Sequence, residues 1–336
     1  MSKNYIGLGK VLIGIILMLI LQAFQAKAAP GDPDPAFPAN SVRFPIYGDY
    51  YGLVMNRIEV LSDGKYLVAG FAYYTDPDPD RLILRRHNAD GSLDTSFGRN
   101  GDVVEYIGFG QYRRIKISNP SRIAVQPDGK ILIGGKRHSD DGQVLGLAIW
   151  RFTADGFPDE TFDGDGRKDL TDLMTHLPET NAEVETIKVI KPSGLSIEPV
   201  KIYVLCTYNN IYQYGIEYNL ADSSKLIKLN LNGSYDTNFG LSGKASLSGE
   251  FNEIALYKPS SLANETIYLA GIGEDNTLTV WRYTKDGFPD TTFAANGRSS
   301  LPIDYYKRRF KDILIQKDGK LLLSGDLNVT QGIIQN

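Results

Sequence analysis

The sequence predicts an all-β fold built from tandem four-stranded units, and three observations support this prediction. A motif of the form DGxxDxxF recurs along the chain, short β-rich segments flank its copies, and no window sustains a helical apolar period. The motif is closely repeated: "WRFTADGFPDETF" at residues 150–162 returns as "WRYTKDGFPDTTF" at residues 281–293. Repetition of this kind indicates one structural unit that is used several times.

Five motif copies set the phase of the repeats: "DPDPAFPANS", "DGSLDTSFGRNG", "DGFPDETFDGDG", "NGSYDTNFGLSG" and "DGFPDTTFAANG". Successive copies are separated by 60, 65, 77 and 54 residues, as measured between their shared acids Asp34, Asp94, Asp159, Asp236 and Asp290. Periods of about 20–50 residues and slightly longer are typical of propellers and solenoids.

Each repeat contains four β-rich segments in a fixed order. The first two form a hairpin around a Pro/Asp/Gly turn, as in "VQPDGKILIGG" from Val125. A third segment such as "LAIWRFT" precedes the motif, and a fourth such as "RKDLTDL" follows it. Four short antiparallel strands in each repeat describe one blade of a β-propeller.

The repeat also resembles a known family. "VQPDGKILIGG" and "NADGSLDTSFG" are similar to units of the delta-60 repeat family of exported bacterial proteins, and the resemblance covers residues 31–327. It implies a propeller fold and no established chemistry. We therefore predict an all-β β-propeller with about five repeats, of which the last is incomplete.

The fifth repeat has a hairpin but no third segment and no closing motif copy. An unfinished blade exposes strand edges, which propellers normally remove by closing the ring. Three explanations are open: the chain is part of a longer array, residues 32–46 complete the last blade, or a partner does. We expect the first, a truncated ring.

The N-terminus predicts export. Lys3 and Lys10 precede a 14-residue apolar segment at residues 11–24, and Ala26 and Ala28 give a small-x-small cleavage site. We predict a signal peptide at residues 1–28 and propeller repeats at residues 29–336, without a transmembrane helix in the mature chain. The protein would then be extracellular, on the cell surface or in the periplasm; the alternative is an uncleaved N-terminal anchor.

Composition excludes an intrachain disulfide and argues against nucleic acid as a partner. Cys206 is the only cysteine, so no disulfide forms within the chain. Cleavage after Ala28 would remove three lysines and no acid, which shifts the net charge from −4 to −7. A chain this acidic is not expected to bind nucleic acid.

Residues that recur in every copy are best explained by what every blade needs. We interpret the motif acids as turn residues that accept backbone N–H groups, and the basic residues Arg86, Arg151, Lys228 and Arg282 as scaffold. The motif phenylalanines Phe37, Phe97, Phe162, Phe239 and Phe293 should be buried at blade junctions. Trp150, Trp281, Cys206 and His87 are likewise expected to pack.

Motifs for known chemistry are missing from the sequence. It contains no nucleophile elbow, phosphate-binding loop or zinc motif, and its three histidines have no metal-ligand spacing. The acidic stretches at residues 76–80 and 163–166 only faintly resemble calcium loops. We expect no cofactor and no metal.

One end of the predicted blades breaks the repeat, and we place the candidate ligand-binding residues there. Strand alternation brings the DGK turns and the motif turns to one face, and the irregular connections, rich in tyrosine and arginine, to the other. The candidates are Tyr50, Tyr51, Tyr73, Tyr74, Tyr112, Arg113, Arg114, Tyr208, Tyr212, Tyr305, Tyr306 and Arg308. The alternative is that these side chains only cover strand ends.

The sequence thus predicts an exported, non-catalytic module for binding or scaffolding, with a cell-surface glycan or protein as its partner. The alternative is a propeller enzyme acting on polysaccharide, a glycosidase or lyase. Such an enzyme needs paired carboxylates, or a set of Tyr, His and Arg, that converge at one end of the blades. The irregular connections offer Asp76, Asp78, Asp80 and Glu217 for that role.

Overall fold

The computed structural model describes residues 50–74, 81–103, 117–138, 144–170, 182–190, 200–208, 212–213, 216–217, 224–258, 265–275, 277–301 and 308–327. The chain divides into two compact units. One comprises residues 1–44 with 90–92, and its described part is a turn in which Ser92 N and Oγ donate hydrogen bonds to Asp90 Oδ1. The other comprises residues 45–89 and 93–336 and contains every strand.

The strands form successive antiparallel sheets that follow the repeats, and we call these sheets blades 1 to 5. Blade 1 contains β1 (Tyr50–Val60), β2 (Tyr66–Tyr74), β3 (Arg81–His87) and β4 (Asp102–Val103). Blade 2 contains β5 (Ile117–Val125), β6 (Ile131–His138), β7 (Val144–Phe152) and β8 (Arg167–Asp169).

Blade 3 contains β9 (Ala182–Ile190), β10 (Lys201–Tyr208), β13 (Ser224–Leu229) and β14 (Lys244–Leu247). Blade 4 contains β15 (Gly249–Tyr257), β16 (Thr266–Gly273), β17 (Leu278–Thr284) and β18 (Arg298–Leu301). Blade 5 has two strands, β19 (Arg308–Ile315) and β20 (Leu321–Leu327).

The predicted architecture is confirmed. Blades 1 to 4 are four-stranded, with each strand paired to its neighbours in chain order, and the described residues include no helix. The sequence did not predict the small hairpin of β11 (Tyr212–Gln213) and β12 (Ile216–Glu217). It lies within the longest repeat, between the second and third strands of blade 3, where extra residues are available to form it.

The core lies between blades rather than within them. One cluster combines Leu67, Leu84 and Phe97 of blade 1 with Ile133 and Trp150 of blade 2. Equivalent clusters join blades 2 and 3, blades 3 and 4, and blades 4 and 5. Blades 2 to 4 therefore bury both of their faces against neighbouring sheets, which explains why their strands are apolar on both sides, whereas blades 1 and 5 each share a cluster with one neighbour in the described part of the chain.

The motif phenylalanine seals each junction. Phe97, Phe162 and Phe239 are fully buried, and an added Cβ on Gly156, Gly233 or Gly287 of the following motif would lie 2.8–3.1 Å from the ring. Only glycine leaves room for this approach, and these glycines also have positive φ. Next to each ring a backbone hydrogen bond joins the two motifs: Gly98 N to Asp155 O, Asp163 N to Asn232 O, and Gly240 N to Asp286 O, at 2.7–2.8 Å.

Phe293 departs from the expected equivalence. It packs against Tyr268 and the blade 4–5 cluster, but it is only partly buried. The reason is that no following motif covers its ring in the described part of blade 5. Phe37, the fifth phenylalanine of the series, lies outside the described residues.

Candidate functional site

At the repeating end of the blades, the motif acid is held by two cations. In blade 1, Asp94 Oδ2 accepts hydrogen bonds from Lys65 Nζ at 2.7 Å and Arg86 Nε at 2.6 Å. Its Oδ1 accepts from Ser96 N and Oγ. Burial alone would raise the pKa of the Asp94 carboxyl, but these hydrogen bonds outweigh it and hold the pKa well below its ordinary value.

Blade 2 repeats the pairing with two cations, and in blades 3 and 4 the basic residue of the third strand pairs with the motif acid. Asp159 pairs with Arg151 at 2.7 Å and Lys130 at 3.1 Å, Asp236 pairs with Lys228 at 2.8 Å, and Asp290 pairs with Arg282 at 2.9 Å. Each acid also accepts a backbone N–H from two residues on. The interpretation of these acids and bases as scaffold is therefore confirmed for the described copies; Asp34 lies outside them.

Three further buried residues, Trp150, His87 and Cys206, pack as predicted. Trp150 is in the blade 1–2 cluster, and His87 stacks on Tyr66 with ring centroids 5.1 Å apart. Cys206 is free and fully buried, and burial raises the pKa of its thiol far above the ordinary range. None of these side chains offers a reactive group to solvent.

The topology brings several predicted ligand-binding residues to the irregular end. Tyr50 and Tyr51 begin β1, Tyr73 and Tyr74 end β2, and Tyr50 pairs with Tyr74 across the ladder. Three further candidates lie at strand ends elsewhere or in the added hairpin: Tyr208 ends β10, Tyr212 lies in β11 and Arg308 begins β19. For these seven residues the structure describes the backbone position.

The remaining candidates, Tyr112, Arg113, Arg114, Tyr305 and Tyr306, lie outside the described residues. Of the acids considered for an enzyme, Glu217 lies in β12, while Asp76, Asp78 and Asp80 are also outside. The binding surface at the irregular end therefore stays a prediction.

Sequence reasoning missed a group of polar residues in the middle of the first strands. The first strand of each blade shows a register irregularity against the second. The residues that follow this irregularity, together with the bulged residue of blade 3, are named the central ring: Arg57, Arg122, Glu185, Thr186, Glu253 and Asp312. Bulges of this kind are frequent next to functional sites, because they redirect side chains.

An ion pair shows that the central ring lies where the first strands converge. Arg122 Nη2 donates to Glu253 Oε1 at 2.8 Å, although blade 3 separates their two blades along the chain. The Arg122 guanidinium also donates to the Glu185 carbonyl of blade 3. One guanidinium thus joins three blades, which requires that their first strands face a common centre.

Two carboxylates of the central ring, those of Glu185 and Glu253, are buried and partly compensated, whereas Asp312 is exposed. Thr207 Oγ1 donates to Glu185 Oε1 at 2.6 Å, and Glu253 has Arg122 as its partner. Burial nevertheless raises the pKa of the Glu253 carboxyl, and the nearby negative charges of Asp312 and Glu185 add to that rise, while Arg122 and Lys188 oppose it. A carboxyl in this environment retains its proton to a higher pH than an exposed glutamate does.

One signal in the sequence could have revealed the ring. Each first strand has an isoleucine at the same position, and the residue before it is polar in all five repeats. That residue is basic in repeats 1 and 2 (Arg57, Arg122), uncharged in repeat 3 (Thr186) and acidic in repeats 4 and 5 (Glu253, Asp312). A polar position that varies within an otherwise uniform strand departs from the scaffold pattern. Among the described residues, no cluster of His, Cys, Asp and Glu has a geometry suited to a metal ion.

Comparison with known proteins supports the fold. The family model described as "Domain of unknown function (DUF5122) beta-propeller" matches residues 61–97 and 126–162, which run from the DGK turn to the motif phenylalanine of blades 1 and 2. The delta-60 name stays a resemblance. No curated protein matches the chain.

Several solved structures match at low similarity. An endo-1,5-alpha-L-arabinanase from Thermotoga petrophila RKU-1 is 11% identical with a TM-score of 0.34, and the match covers 80% of this chain and 58% of that one. An endo-arabinase from Bacteroides thetaiotaomicron VPI-5482 is 8% identical with a TM-score of 0.35, covering 83% and 91%. A Cellvibrio cellulosa alpha-L-arabinanase is 12% identical with a TM-score of 0.32, covering 71% and 76%.

Similarity at this level does not extend to activity, and the chain spans only 58% of the Thermotoga enzyme. In the described part of the chain, no helix has the length and apolar character needed to cross a membrane. The repeat pattern, the succession of four-stranded antiparallel sheets and the family match lead to one conclusion about identity: the chain has the β-propeller fold.

Proposed function

We propose that this protein is an exported, non-catalytic β-propeller module for binding or structural scaffolding at the cell surface, and that its partner is a surface glycan or protein. One observation carries the proposal. At the repeating end, the charged residues of each motif pair with one another, as Asp94 does with Lys65 and Arg86. Because these charged groups are used within the blades, we expect contacts with a ligand to come from the irregular end, where the side chains differ from blade to blade.

The chemistry of the irregular end supports binding. Tyrosine and arginine contribute most of the energy at many exposed interfaces, because they combine a large contact area with polar groups. Tyr74 and Tyr208 end second strands, and Arg308 begins a first strand, so the antiparallel topology places all three at this end of their blades. Contacts from several blades would add up to useful avidity.

The experiment compares substitutions at the two ends of the blades. The chain is first screened against a glycan array and against cell-surface extracts. The combined variant Tyr74→Ala, Tyr208→Ala and Arg308→Ala should then weaken retention on the ligand found by about tenfold or more. The proposal requires these three side chains to contact an external ligand, and it therefore predicts a change in unfolding free energy of only about 0.5 kcal/mol per site, as for surface substitutions.

A matched control uses exposed aromatic residues of the repeating end. Phe157 and Phe288 are 50% and 53% exposed, so Phe157→Ala with Phe288→Ala should leave retention unchanged. Equal loss of retention in the control, or unfolding of the triple variant, would show that the irregular end is not the binding surface.

A second candidate function is a polysaccharide-degrading enzyme, and Glu253 is the observation that favours it. Glu253 is buried in the central ring with a raised pKa, close to two further carboxylates, and general acids of glycosidases need such an environment. Activity on a polysaccharide panel that Glu253→Gln abolishes, and that Glu265→Gln leaves intact, would support this function over the first. Glu265 is a suitable control because it is buried but pairs with Lys201.

Export is part of the proposal and has its own test. If residues 1–28 are removed, the mature protein begins at Ala29. Mass spectrometry of protein recovered from outside the cytoplasm should show this N-terminus. A mature chain that retains residues 11–24 would instead identify a membrane anchor.

A further inference from the structure

Two basic groups of the first strands have hydrogen-bond donors that the blades do not use. Arg122 donates through Nε to the Glu185 carbonyl and through Nη2 to Glu253 Oε1, whereas its Nη1 donates to no other described residue. Lys188 of β9 is half-buried, and its ammonium forms neither an ion pair nor a hydrogen bond within the part of the chain that the structure describes. Both groups can therefore donate to an external partner.

Lys188 lies close to the ion pair of Arg122 and Glu253. It follows Thr186 of the central ring by two residues in β9. Burial raises the pKa of the Glu253 carboxyl, and the positive charges of Arg122 and Lys188 oppose that rise. A charge acts on a pKa in this way only from a short distance. Blades 2 and 3 thus bring two cations to the same buried carboxyl.

Solvent reaches these cations more readily than the acids of blades 3 and 4. The side chain of Arg122 is 22% exposed, and that of Glu253 is 5% exposed. Glu185 is buried, and its Oε1 accepts a hydrogen bond from Thr207. Where these first strands converge, the charge accessible to a ligand is therefore positive on blades 2 and 3, while the exposed Asp312 adds a negative charge on blade 5.

We propose that Arg122 and Lys188 form a binding site for a carboxylate-bearing ligand where the first strands converge. A guanidinium is suited to this role because its planar N–H groups match the two oxygens of a carboxylate, and an ammonium adds a point charge. A carboxylate is favoured over a phosphate because its single negative charge is repelled less by Glu253 and Asp312. The site is independent of the irregular end and of any catalytic role of Glu253.

Binding at this site should be coupled to protonation of Glu253. A carboxylate beside Arg122 competes with Glu253 for the guanidinium and brings a second negative charge close to it, and both effects favour the protonated form of Glu253. By reciprocity, protonation of Glu253 strengthens binding. Because the pKa of Glu253 already lies above its ordinary value of 4.5, affinity should rise as the pH is lowered toward 4.5.

The charged groups that act on Glu253 come from three strands. These groups are Arg122 from β5, Lys188 and Glu185 from β9, and Asp312 from β19. β16 also packs against β15 and contains no charged residue. The lysines of β10 and β13, two further strands that contact β15, bond to other groups: Lys201 to Glu265, Lys225 to Ser246 and Lys228 to Asp236. Glu253 is the carboxyl that contacts Arg122, so its titration should set the pH dependence of binding.

D-Glucuronate and acetate are suitable probes, because the first is a carboxylate on a sugar and the second is a carboxylate alone. Each is titrated into the full chain at low ionic strength and followed by NMR, with D-glucuronamide and acetamide as neutral counterparts of similar shape. We expect both carboxylates to bind and each amide to bind about tenfold more weakly, since it lacks the charge. Only the glucuronate result depends on the proposed glycan partner.

Four variants test the mode of binding. Lys188→Met should weaken carboxylate binding by about tenfold, because it removes one charge-assisted hydrogen bond and keeps most of the side-chain volume. Lys225→Met is the matched control, since Lys225 is also partly buried in blade 3 but lies in the third strand and donates to Ser246. Asp312→Asn should strengthen binding, because it removes an exposed repelling charge. Glu253→Gln should remove the pH dependence and retain binding.

Three results would overturn the proposal. The carboxylates could bind no better than their amides, inorganic phosphate could bind more tightly than acetate, or Lys188→Met and Lys225→Met could reduce affinity equally in variants that thermal unfolding shows to be folded. An affinity that does not change with pH in the native chain would contradict the coupling to Glu253. If acetate binds in a manner that requires Lys188 and glucuronate does not bind, the carboxylate site is supported and an acidic glycan is excluded as its ligand.

Discussion

The substitution Phe162→Ala tests whether the motif phenylalanine holds adjacent blades together. The ring is fully buried in the cluster between blades 2 and 3, and the Arg151 guanidinium carbon lies 4.6 Å from its centroid. Removing a buried phenylalanine costs about 3–5 kcal/mol through lost transfer energy and the cavity left behind. The lost cation–π contact adds about 0.5–1 kcal/mol, so we expect a value in the upper part of that range.

Phe293→Ala is the matched control, because it removes the same side chain from the same motif position, where no glycine of a following motif lies over the ring in the described residues. With Phe293 only partly buried, we expect roughly half the cost, about 1.5–2.5 kcal/mol. Both variants are compared with the native chain by denaturant unfolding followed by circular dichroism. Equal costs for the two, or a cost below about 1 kcal/mol for Phe162→Ala, would refute the role of the following glycine as a seal.

Three further predictions concern single residues. Gly156→Ala should destabilise more than Gly164→Ala in thermal unfolding, because both positions have positive φ but an added Cβ at Gly156 would lie 2.8 Å from Phe97, and at Gly164 nothing lies within 4 Å. Asp159→Ala should cost about 3–5 kcal/mol at pH 7 by leaving two cations unpaired; since the pKa of Asp159 is lowered by folding, this loss should shrink as the pH falls below about 4. Because the pKa of Glu253 is raised, its effect on stability is most favourable below its ordinary pKa of 4.5 and declines as the pH rises through the folded value, so Glu253→Gln should flatten the pH dependence of unfolding above pH 4.5.

Much of the fold was predictable because it depends on local patterns. The DGK turns, the motif acids and the alternating strands each follow from a few adjacent residues, and the close repetition fixed their order. Phe162 could be assigned to a blade junction for the same reason. Phe162 packs against Gly233 of the next motif. Predicting this contact would have required only the assumption that every repeat makes the same contact.

The central ring was not predictable because its contacts join residues that are distant in sequence. Arg122 and Glu253 are 131 residues apart, and their pairing depends on how the first strands of three blades converge. A strand bulge also changes which side chains face the centre. The alternation of polar and apolar residues in a single sequence does not show where a bulge lies. The buried pair of Arg85 and Asp102 escaped prediction for a related reason: the equivalent strand position holds tryptophan in blades 2 and 4.

The seal between consecutive motifs gives the ring a direction. The phenylalanines of blades 1 to 3 are each covered by the DG turn of the next blade in the chain, so Phe97 remains uncovered until Gly156 has been synthesised, and Phe162 until Gly233 has. During synthesis from the N-terminus, the motif phenylalanine of the most recent repeat is therefore exposed. It becomes covered when the next repeat has been made, and the phenylalanine of that repeat is then the exposed one. The blade junctions are thereby completed in the order in which the repeats are synthesised. A chain interrupted after a motif exposes the phenylalanine of that motif, which is an apolar surface prone to association.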